Sequence, residues 1–491
     1  MTDITEDSPR HGTFSVAPNQ QANGSLTLAG LESQLHLWSD SPLDISSNST
    51  INGVLENLTR VSLIGCNVRS EGHVGKGVQI RYKYLVLPQC VLFGSCHFSG
   101  NESVVHEISV VLEHAVALFH DFEAYGSIFN NAAATAMVAK FDNPDTAVDI
   151  EDYSWISYYT GKRSVFISDT VIGRVSANHT PVFTTGYDRD HGLKKVTELS
   201  IKFDKPLPVI ESLQRMGRVL QFFDLVVGYA QNVSSISVRT GYDNPSHFFE
   251  LYAIGYAEWR STGEEPKSGN VLRTTVLIHP VDDPTEFSNV LKSWLERDVG
   301  WRTARIRLAH DWGKRFYHYN RIIAAANVFD LVPHEVYGNK PSLAANLSDA
   351  LDASRKIFCD LPPSDERNDI LGYLGRVGGW RLKRKIAFRA ENICDSIGQL
   401  LPEFETVMYE AVNLRNHYVH GSPTRIRSDQ KLPLLRFLTN SLEFIFFASD
   451  FIDAGWNIVD WCSKSRPIGH PFHNYLVNYK EDLKVLKEAL E

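Results

Sequence analysis

The chain has 491 residues, a length that predicts two or three domains rather than one core. With 43% hydrophobic and 22% charged residues, its composition is typical of a folded globular protein and excludes a disordered chain. No apolar run reaches the roughly 18 residues of a membrane span. The acidic start is unlike a secretory signal, and the six cysteines are scattered as in reduced proteins. We therefore expect a cytoplasmic protein without membrane contact.

The net charge of -9 is divided unevenly along the chain. From residue 301 onward there are 26 Lys and Arg against 23 Asp and Glu, whereas the first 300 residues carry 23 against 35. Two regions of opposite charge suggest two separate roles. The small positive excess of the second region permits binding of nucleic acid but does not by itself predict it.

The first 300 residues are rich in β-branched and aromatic segments, and dipeptides such as Asn23-Gly24 and Asn52-Gly53 predict turns between them. The predicted strands are GSLTLAG, SQLHLWS, RVSLIGC, VQIRYKYLVL, EISVVLEHAVALF, SVFISDTVIGRVS, TELSIKF, SSISVRT, FFELYAIGYA and VLRTTVLIHP. Two helices are predicted among them, over residues 208–230 and 283–297. We expect a β-rich, sandwich-like region with inserted helices over residues 1–300, which could divide again near residue 190.

After residue 300 the pattern changes to helices that stop at glycine or proline. The predicted helices are WGKRFYHYNRIIAAANVFDLV, SLAANLSDALDASRKIFCDL, RLKRKIAFRAENICDSIGQLL, EFETVMYEAVNLRNHYVH, LPLLRFLTNSLEFIFFASDFIDA and HNYLVNYKEDLKVLKEALE. Short loops between helices favour an antiparallel bundle. Residues 301–491 are therefore predicted to be all-α, which makes the protein a multidomain α+β chain.

The helix that ends at Gly421 carries a charged residue within its apolar stripe. On a helical wheel Arg415 lies about 20° from the centre of that stripe. Burial of a guanidinium without a partner is costly, so we expect a group to meet it, and a core carboxylate is the structural alternative to a functional role. Asn416 and His420 are neighbours on one shoulder of the helix. His420 lies in the last turn, where the helix dipole favours a protonated imidazole.

Basic residues near this helix are candidates for contact with an RNA backbone. Arg425 and Arg427 follow it directly in the loop SPTRIR. Arg381, Arg384 and Lys385 crowd the start of another helix, where a solvated helix face is the alternative interpretation. We predict no metal site, because the scattered cysteines and histidines near the carboxyl end lack a fourth ligand.

The segment RNHYVH, from Arg415 to His420, resembles the R-x4-6-H signature of the HEPN superfamily in its RNxxxH form. The layout of the whole chain resembles the ApeA-like anti-phage proteins, in which a β-rich amino-terminal region precedes a carboxy-terminal HEPN domain. The segments INGVLENLTRVSLIGC and LSIKFDKPLPVIESLQRMGRVLQFFDLVVG look like that amino-terminal region.

The resemblance implies a metal-independent endoribonuclease, without cofactor, that acts in abortive infection as a homodimer or higher homo-oligomer through the HEPN domain. His420 would be the general base or acid, Arg415 would neutralise charge on the phosphoryl oxygens, and Asn416 would orient His420 or the phosphate. The products would be 2′,3′-cyclic phosphate and 5′-OH ends. The amino-terminal region would sense a phage-derived trigger or restrain the nuclease, and the substrate would be tRNA or other cellular or phage RNA.

The wheel gives a separate reason to expect a dimer. Arg415 and His420 lie about 140° apart, so one helix should not direct both at one small target, whereas two copies could share a cleft. Two alternatives remain at this stage. One is a non-catalytic HEPN dimerisation protein, and the other is a ligand-binding β module with a structural helical domain.

Overall fold

The computed structural model describes residues 8–76, 79–98, 104–112, 118–141, 156–184, 192–241, 248–254, 276–309, 311–312, 316–338, 343–464 and 469–491. The chain divides into two compact units, Met1–Leu295 and Glu296–Glu491. The first unit is rich in β-strands and the second is helical, which confirms the predicted α+β fold class. The boundary lies a few residues before the predicted position of 300.

The first unit contains a long sheet and three helices among the described residues. Its strands are β1 (Arg10–Ala17), β2 (Gln20–Thr27), β3 (Gln34–Ser39), β4 (Ser49–Leu55), β5 (Arg60–Lys76), β6 (Gln79–Leu87), β7 (Cys90–Gly94), β8 (Val105–Leu112), β9 (Tyr125–Ile128), β10 (Ile156–Tyr159), β11 (Ser164–Thr170), β12 (Gly173–His179), β13 (Val182–Thr184), β14 (Gly192–Lys194), β15 (Thr197–Leu207), β16 (Val233–Arg239) and β17 (Phe248–Ala253). Its helices are α1 (Asn131–Phe141), α2 (Val209–Val227) and α3 (Pro284–Glu296).

A 13-stranded sheet runs in the order β11-β12-β15-β8-β16-β17-β7-β5-β4-β1-β2-β3-β6, and an additional β5–β6 pairing closes its last part. The strands β5, β4, β1, β2, β3 and β6 therefore form a closed antiparallel barrel, with the other strands continuing outward from β7. Closure depends on the length of β5, whose residues 60–66 pair with β4 and whose residues 67–76 pair with β6. The β-rich region thus takes the form of a barrel with outer strands.

The barrel interior explains why the two predicted Asn-Gly turns are wrong. Asn23-Gly24 lies within β2 and Asn52-Gly53 lies within β4, on either side of the fully buried Phe14. A Cβ atom on Gly53 would overlap with Cδ1 of Phe14, and one on Gly24 would lie 2.9 Å from Phe14 Cδ2. These glycines therefore make room for an aromatic ring in the core rather than for a turn.

Other differences from the predicted elements are local. The segment SVFISDTVIGRVS was predicted as one strand but forms the hairpin of β11 and β12, which turns at Val171-Ile172. The end of the predicted strand VLRTTVLIHP is wrong, because residues 276–280 contain no strand. The predicted break near residue 190 falls outside the described residues, and β12 and β15 on either side of it are neighbours in one sheet.

The second unit is helical wherever the structure describes regular elements. Its helices are α4 (Asp298–Ala309), α5 (Tyr319–Asn327), α6 (Ala345–Cys359), α7 (Asp365–Arg376), α8 (Leu382–Ile397), α9 (Phe404–His420), α10 (Lys431–Asp453), α11 (Ile458–Ser463) and α12 (Pro471–Leu490). Helices α4, α7 and α11 were not predicted, and α5 is much shorter than predicted. No helix in the described ranges combines the length and the apolar character needed to cross a membrane.

Helix α10 is the element around which this unit is built, since α5, α8, α9 and α12 all pack against it. It carries fully buried acidic residues that arginines from other helices meet. Arg305 of α4 donates from Nε and Nη2 to the two carboxylate oxygens of Asp450, at 2.8 and 2.9 Å. Arg321 of α5 makes the same two-point contact with Glu443, at 2.7 and 2.8 Å.

The Asp450 carboxylate is stabilised by more than one arginine. Arg297 Nη2 lies 2.9 Å from its Oδ1 atom, and the guanidinium groups of Arg297 and Arg305 both stack over Trp301. Burial by itself raises the pKa of Asp450, but the nearby Arg305 and Arg297 outweigh burial, so the pKa lies below its usual range. The charged form is therefore the one that the fold selects.

We predict that Gly53→Ala destabilises the barrel by about 1–3 kcal/mol, because the new methyl group must displace the Phe14 ring. Urea unfolding measures the loss. Gly72→Ala in β5 is the matched control, since a Cβ there meets nothing within 4 Å, and we expect a change below about 0.5 kcal/mol. Equal losses for the two variants would contradict this account of the barrel interior.

We predict that Asp450→Asn lowers the free energy of unfolding by about 3–5 kcal/mol at neutral pH, because it leaves buried arginines without their carboxylate. The lowered pKa gives the sign of the pH dependence. The contribution of Asp450 is present above its ordinary pKa of 3.8 and is lost as the pH falls through the lower value of the folded state. The gap between wild type and variant should therefore shrink in acid, whereas the exposed control Asp429→Asn should show little loss at any pH.

Candidate active site at the end of helix α9

Helix α9 positions the predicted catalytic residues. Its apolar stripe from Phe404 to Leu414 is buried, and the helix leaves the core in its last turn, where His420 is exposed. Gly421 ends the helix in the left-handed region, with φ of 67°, and its N–H donates to the carbonyl of His417. The predicted glycine cap is therefore present, and it places His420 at the surface.

The Arg415 guanidinium is half-buried and is met by amides and an imidazole. Its Nε and Nη2 atoms donate to Oδ1 of Asn327, at 3.1 and 2.6 Å. Its Nη1 atom donates to Oδ1 of Asn416 at 2.9 Å and lies 3.3 Å from Nε2 of His420. Within the described ranges, no carboxylate lies at ion-pair distance from it. Arg415 thus has the partner that the wheel required, but this partner leaves its charge unneutralised.

The structure corrects the geometric argument for a shared cleft. Arg415 and His420 were expected to point apart because their Cα positions differ by about 140° on the wheel. The long side chain of Arg415 reaches across this angle, so its guanidinium contacts the His420 imidazole of the same chain. The wheel therefore gives no reason to require a second copy, and the homodimer remains a prediction without that support.

The contact with Arg415 determines the hydrogen-bonding role of His420 Nε2. A guanidinium has only donors, so His420 Nε2 must accept in this geometry and carries a lone pair there. The Oδ1 atom of Asn416 accepts from Arg415. That Asn416 orients His420 or the phosphate stays a prediction.

A second histidine in the same turn links the helix to its surroundings. His417 Nδ1 donates to the carbonyl of Ser422 at 2.9 Å, and its Nε2 accepts from the ammonium of Lys431 at 3.0 Å. These contacts tie the end of α9 to the following loop and to α10. Beside them, the Tyr418 ring lies 6.0 Å from that of Tyr319, whose side chain is 55% exposed.

Asn327 is the residue that sequence reasoning missed. It is the last residue of α5, 88 positions before Arg415, and it makes two of the hydrogen bonds of the guanidinium. A single asparagine at a helix end gives no functional signal in the sequence. Only the packing of α5 against α9 reveals it.

The predicted RNA-contacting residues fall into different environments. Arg425 is exposed, but it pairs with the buried Glu410, which raises the pKa of the guanidinium. Arg427 is exposed, with Asp429 3.8 Å away. Both lie in the loop that follows His420, after the exposed end of α9.

The basic start of helix α8 is not one solvated face. Arg381 and Arg384 are exposed, as expected. Lys385 is buried and its ammonium lies 2.9 Å from Asp330, so the prediction that it contacts RNA is wrong. Arg389 is also buried and pairs with Asp453 at 2.6 Å. The helix turns these two residues inward, which a count of basic residues cannot show.

Metal ligands are not grouped in the described ranges, where no set of three or more His, Cys, Asp or Glu could hold an ion. His470 is one of the histidines near the carboxyl end that were considered as metal ligands, and it caps a helix. Its Nδ1 atom accepts from the N–H of Phe472 and caps α12.

Comparison with known proteins concerns the first unit. Residues 9–294, more than half of the chain, match the family model described as ApeA N-terminal domain 1. The chain belongs to the ApeA family. Membership in the ApeA family indicates a role in anti-phage defence. Neither the curated proteins nor the solved structures contained a match to this ApeA family member. The Arg415–His420 site lies outside the matched residues.

Proposed function

We propose that this protein is a metal-independent endoribonuclease of the HEPN type that acts in anti-phage defence. The observation that carries the proposal is the 3.3 Å approach of the Arg415 guanidinium to the His420 imidazole at an exposed helix end. No carboxylate in the described ranges neutralises this arginine, so its charge remains available to an anion. The amides of Asn327 and Asn416 orient it.

The arrangement suits attack of a ribose 2′-hydroxyl on the adjacent phosphate. His420 Nε2 carries the lone pair that removes the 2′-hydroxyl proton as the oxygen bonds to phosphorus. Arg415 stabilises the negative charge that grows on the phosphoryl oxygens. The bond from phosphorus to the 5′-oxygen then breaks and that oxygen takes up a proton, which gives 2′,3′-cyclic phosphate and 5′-OH ends. Because the ribose supplies the nucleophile, this route needs no metal-bound water.

Exposed side chains around the site are suited to an RNA strand. Arg425 and Arg427 would contact the backbone next to the cleaved phosphate, and Arg381 and Arg384 would contact it on α8. The exposed ring of Tyr319 offers a stacking surface for an unpaired base. The substrate would be tRNA or other cellular or phage RNA.

The β-rich unit would control the nuclease, because unrestrained cleavage of RNA kills the host cell. A phage-derived trigger acting at this unit would release the restraint. Assembly as a homodimer or higher homo-oligomer through the helical domain belongs to the same proposal.

The test compares phage-infected cells that express the wild type, Arg415→Ala or His420→Ala. We expect RNA fragments with 2′,3′-cyclic phosphate ends and phage resistance with the wild type, and a loss of roughly 100–10,000-fold in cleavage with either variant. His334→Ala and Arg376→Ala are matched controls at exposed positions, and thermal melting of all five proteins checks folding. The proposal is wrong if cells with folded His420→Ala contain as many RNA fragments with 2′,3′-cyclic phosphate ends as cells with the folded wild type.

We also expect Asn327 to act as a positioning residue for Arg415. Asn327→Ala removes two hydrogen bonds from the Arg415 guanidinium. We expect kcat to fall by about 100-fold with little change in KM, because a misplaced guanidinium still binds the substrate but no longer stabilises the transition state. Asn327→Asp should keep Arg415 in place and preserve thermal stability, yet lower kcat by neutralising its charge. Retained activity in the aspartate variant would show that the unneutralised charge of Arg415 is unimportant.

A further inference from the structure

Cleavage of RNA at the end of α9 requires a second proton transfer. In the proposed reaction the imidazole of His420 acts as a base and removes the proton of the 2′-hydroxyl. The attacking and leaving oxygens lie on opposite sides of the phosphorus atom, so the 5′-oxygen must take its proton from a different group in the same step. That group has to lie near His420 and must be able to release a proton.

Several polar groups around His420 are unsuited to this step. Arg415 contacts the imidazole, but a guanidinium does not release its proton in proteins. The ring of His417 has both nitrogens engaged, one with a carbonyl of the following loop and one with the ammonium of Lys431. Tyr418 lies about 160° from His420 on the helical wheel, and burial raises the pKa of its phenol. Lys431 is therefore the neighbouring group that remains to be considered.

Lys431 begins helix α10, and its ammonium lies beside the last turn of α9. Its Nζ atom donates to Nε2 of His417 at 3.0 Å. His417 and His420 are three residues apart on one helix, which places their Cβ atoms about 5–6 Å from each other. An ammonium has three N–H donors, and the bond to His417 uses one of them. Among the residues that the structure describes, no carboxylate lies at ion-pair distance from Lys431.

The imidazole of His420 thus has a cation on each side. On the helical wheel, Asn416 lies about 40° from His420 in one direction and His417 lies about 60° away in the other. Asn416 binds the guanidinium of Arg415, and His417 binds the ammonium of Lys431. A phosphate bound at His420 can therefore meet Arg415 at its phosphoryl oxygens and Lys431 at a different oxygen.

We infer that Lys431 is the general acid of the cleavage reaction, an inference that rests on the proposed ribonuclease function. His420 takes the 2′-hydroxyl proton while the bond from the 2′-oxygen to phosphorus forms. The bond from phosphorus to the 5′-oxygen breaks, and Lys431 Nζ passes a proton to that oxygen. His420 then releases its proton to water and Lys431 regains one from water, which restores both groups. His417 is a positioning residue that holds the ammonium in place.

The test compares two RNA oligonucleotides that carry the sequence cut by the wild type in phage-infected cells. One has the natural oxygen at the 5′ position of the cleaved bond, and the other has sulfur there. A thiolate is a much better leaving group than an alkoxide, so the sulfur RNA does not need a general acid. Cleavage rates are measured with the full-length chain purified from infected cells, and thermal melting checks that each variant is folded.

We expect Lys431→Ala to lower kcat by roughly 100–1,000-fold on the oxygen RNA but by less than about tenfold on the sulfur RNA. Lys431→Arg keeps the positive charge without a proton to release, so it should behave like the alanine variant on both substrates. His417→Ala should show the same pattern with a smaller loss, because the ammonium is displaced rather than removed.

Two controls separate loss of the acid from other effects. His420→Ala should stay impaired on both RNAs, because the base is needed whichever atom leaves, and Lys484→Ala, at an exposed position of α12, should leave both rates unchanged. Lys431→Ala with full activity on the oxygen RNA, or with equal losses on the two RNAs, would overturn the inference. Full activity of Lys431→Arg on the oxygen RNA would overturn it too, since charge alone would then suffice. A wild type that cleaves neither RNA would instead contradict the proposed function itself.

Discussion

The helical unit depends on acidic residues buried in α10 and on the arginines that meet them. A carboxylate in a protein core is tolerated only when its charge is compensated and its oxygens accept hydrogen bonds. Asp450 and Glu443 satisfy this condition only if α4 and α5 lie at the correct height along α10, because a guanidinium must meet both oxygens at once. The pairs therefore determine where neighbouring helices lie, beyond what apolar packing alone specifies.

The candidate active site depends on the same interaction. The pair of Arg321 and Glu443 fixes α5 against α10 near its amino end, and Asn327 lies at the other end of α5. Asn327 in turn orients Arg415, which contacts His420. The geometry of Arg415 and His420 is thus determined by a buried ion pair between two other helices, and nothing in the RNxxxH motif itself indicates that pair.

The sequence was sufficient for the class of fold but not for its connections. Alternating and helical apolar patterns depend on neighbouring residues, so most strands and long helices could be predicted from local sequence. The Asn-Gly dipeptides at 23–24 and 52–53 were wrongly predicted to be turns. Glycine is required there by Phe14, which belongs to another strand. Closure of the barrel could not be predicted from the sequence either, because it depends on which strands pair with the two halves of β5.

The same distinction applies to the site. Asn416 and His420 lie four residues apart on one helix, so the spacing could predict that they are neighbours. The contact between Arg415 and His420 could not be predicted, because a wheel places Cα atoms and takes no account of the reach of an arginine side chain. Lys385 illustrates the converse, since a basic residue was assigned to the surface although Asp330 and its neighbours enclose it. In the case of Lys385, the deciding partner lies 55 positions away in the sequence.

The pairing of β5 with β6 also bears on how the protein avoids aggregation. An open sheet has two free edges whose N–H and C=O groups can accept strands from other molecules. In the sheet formed by the described strands, one end of the strand order closes on itself and the other ends at β11. The edge strand β11 carries the charged Asp169. A defence protein that must persist unused until infection would benefit from a sheet in which one end is closed.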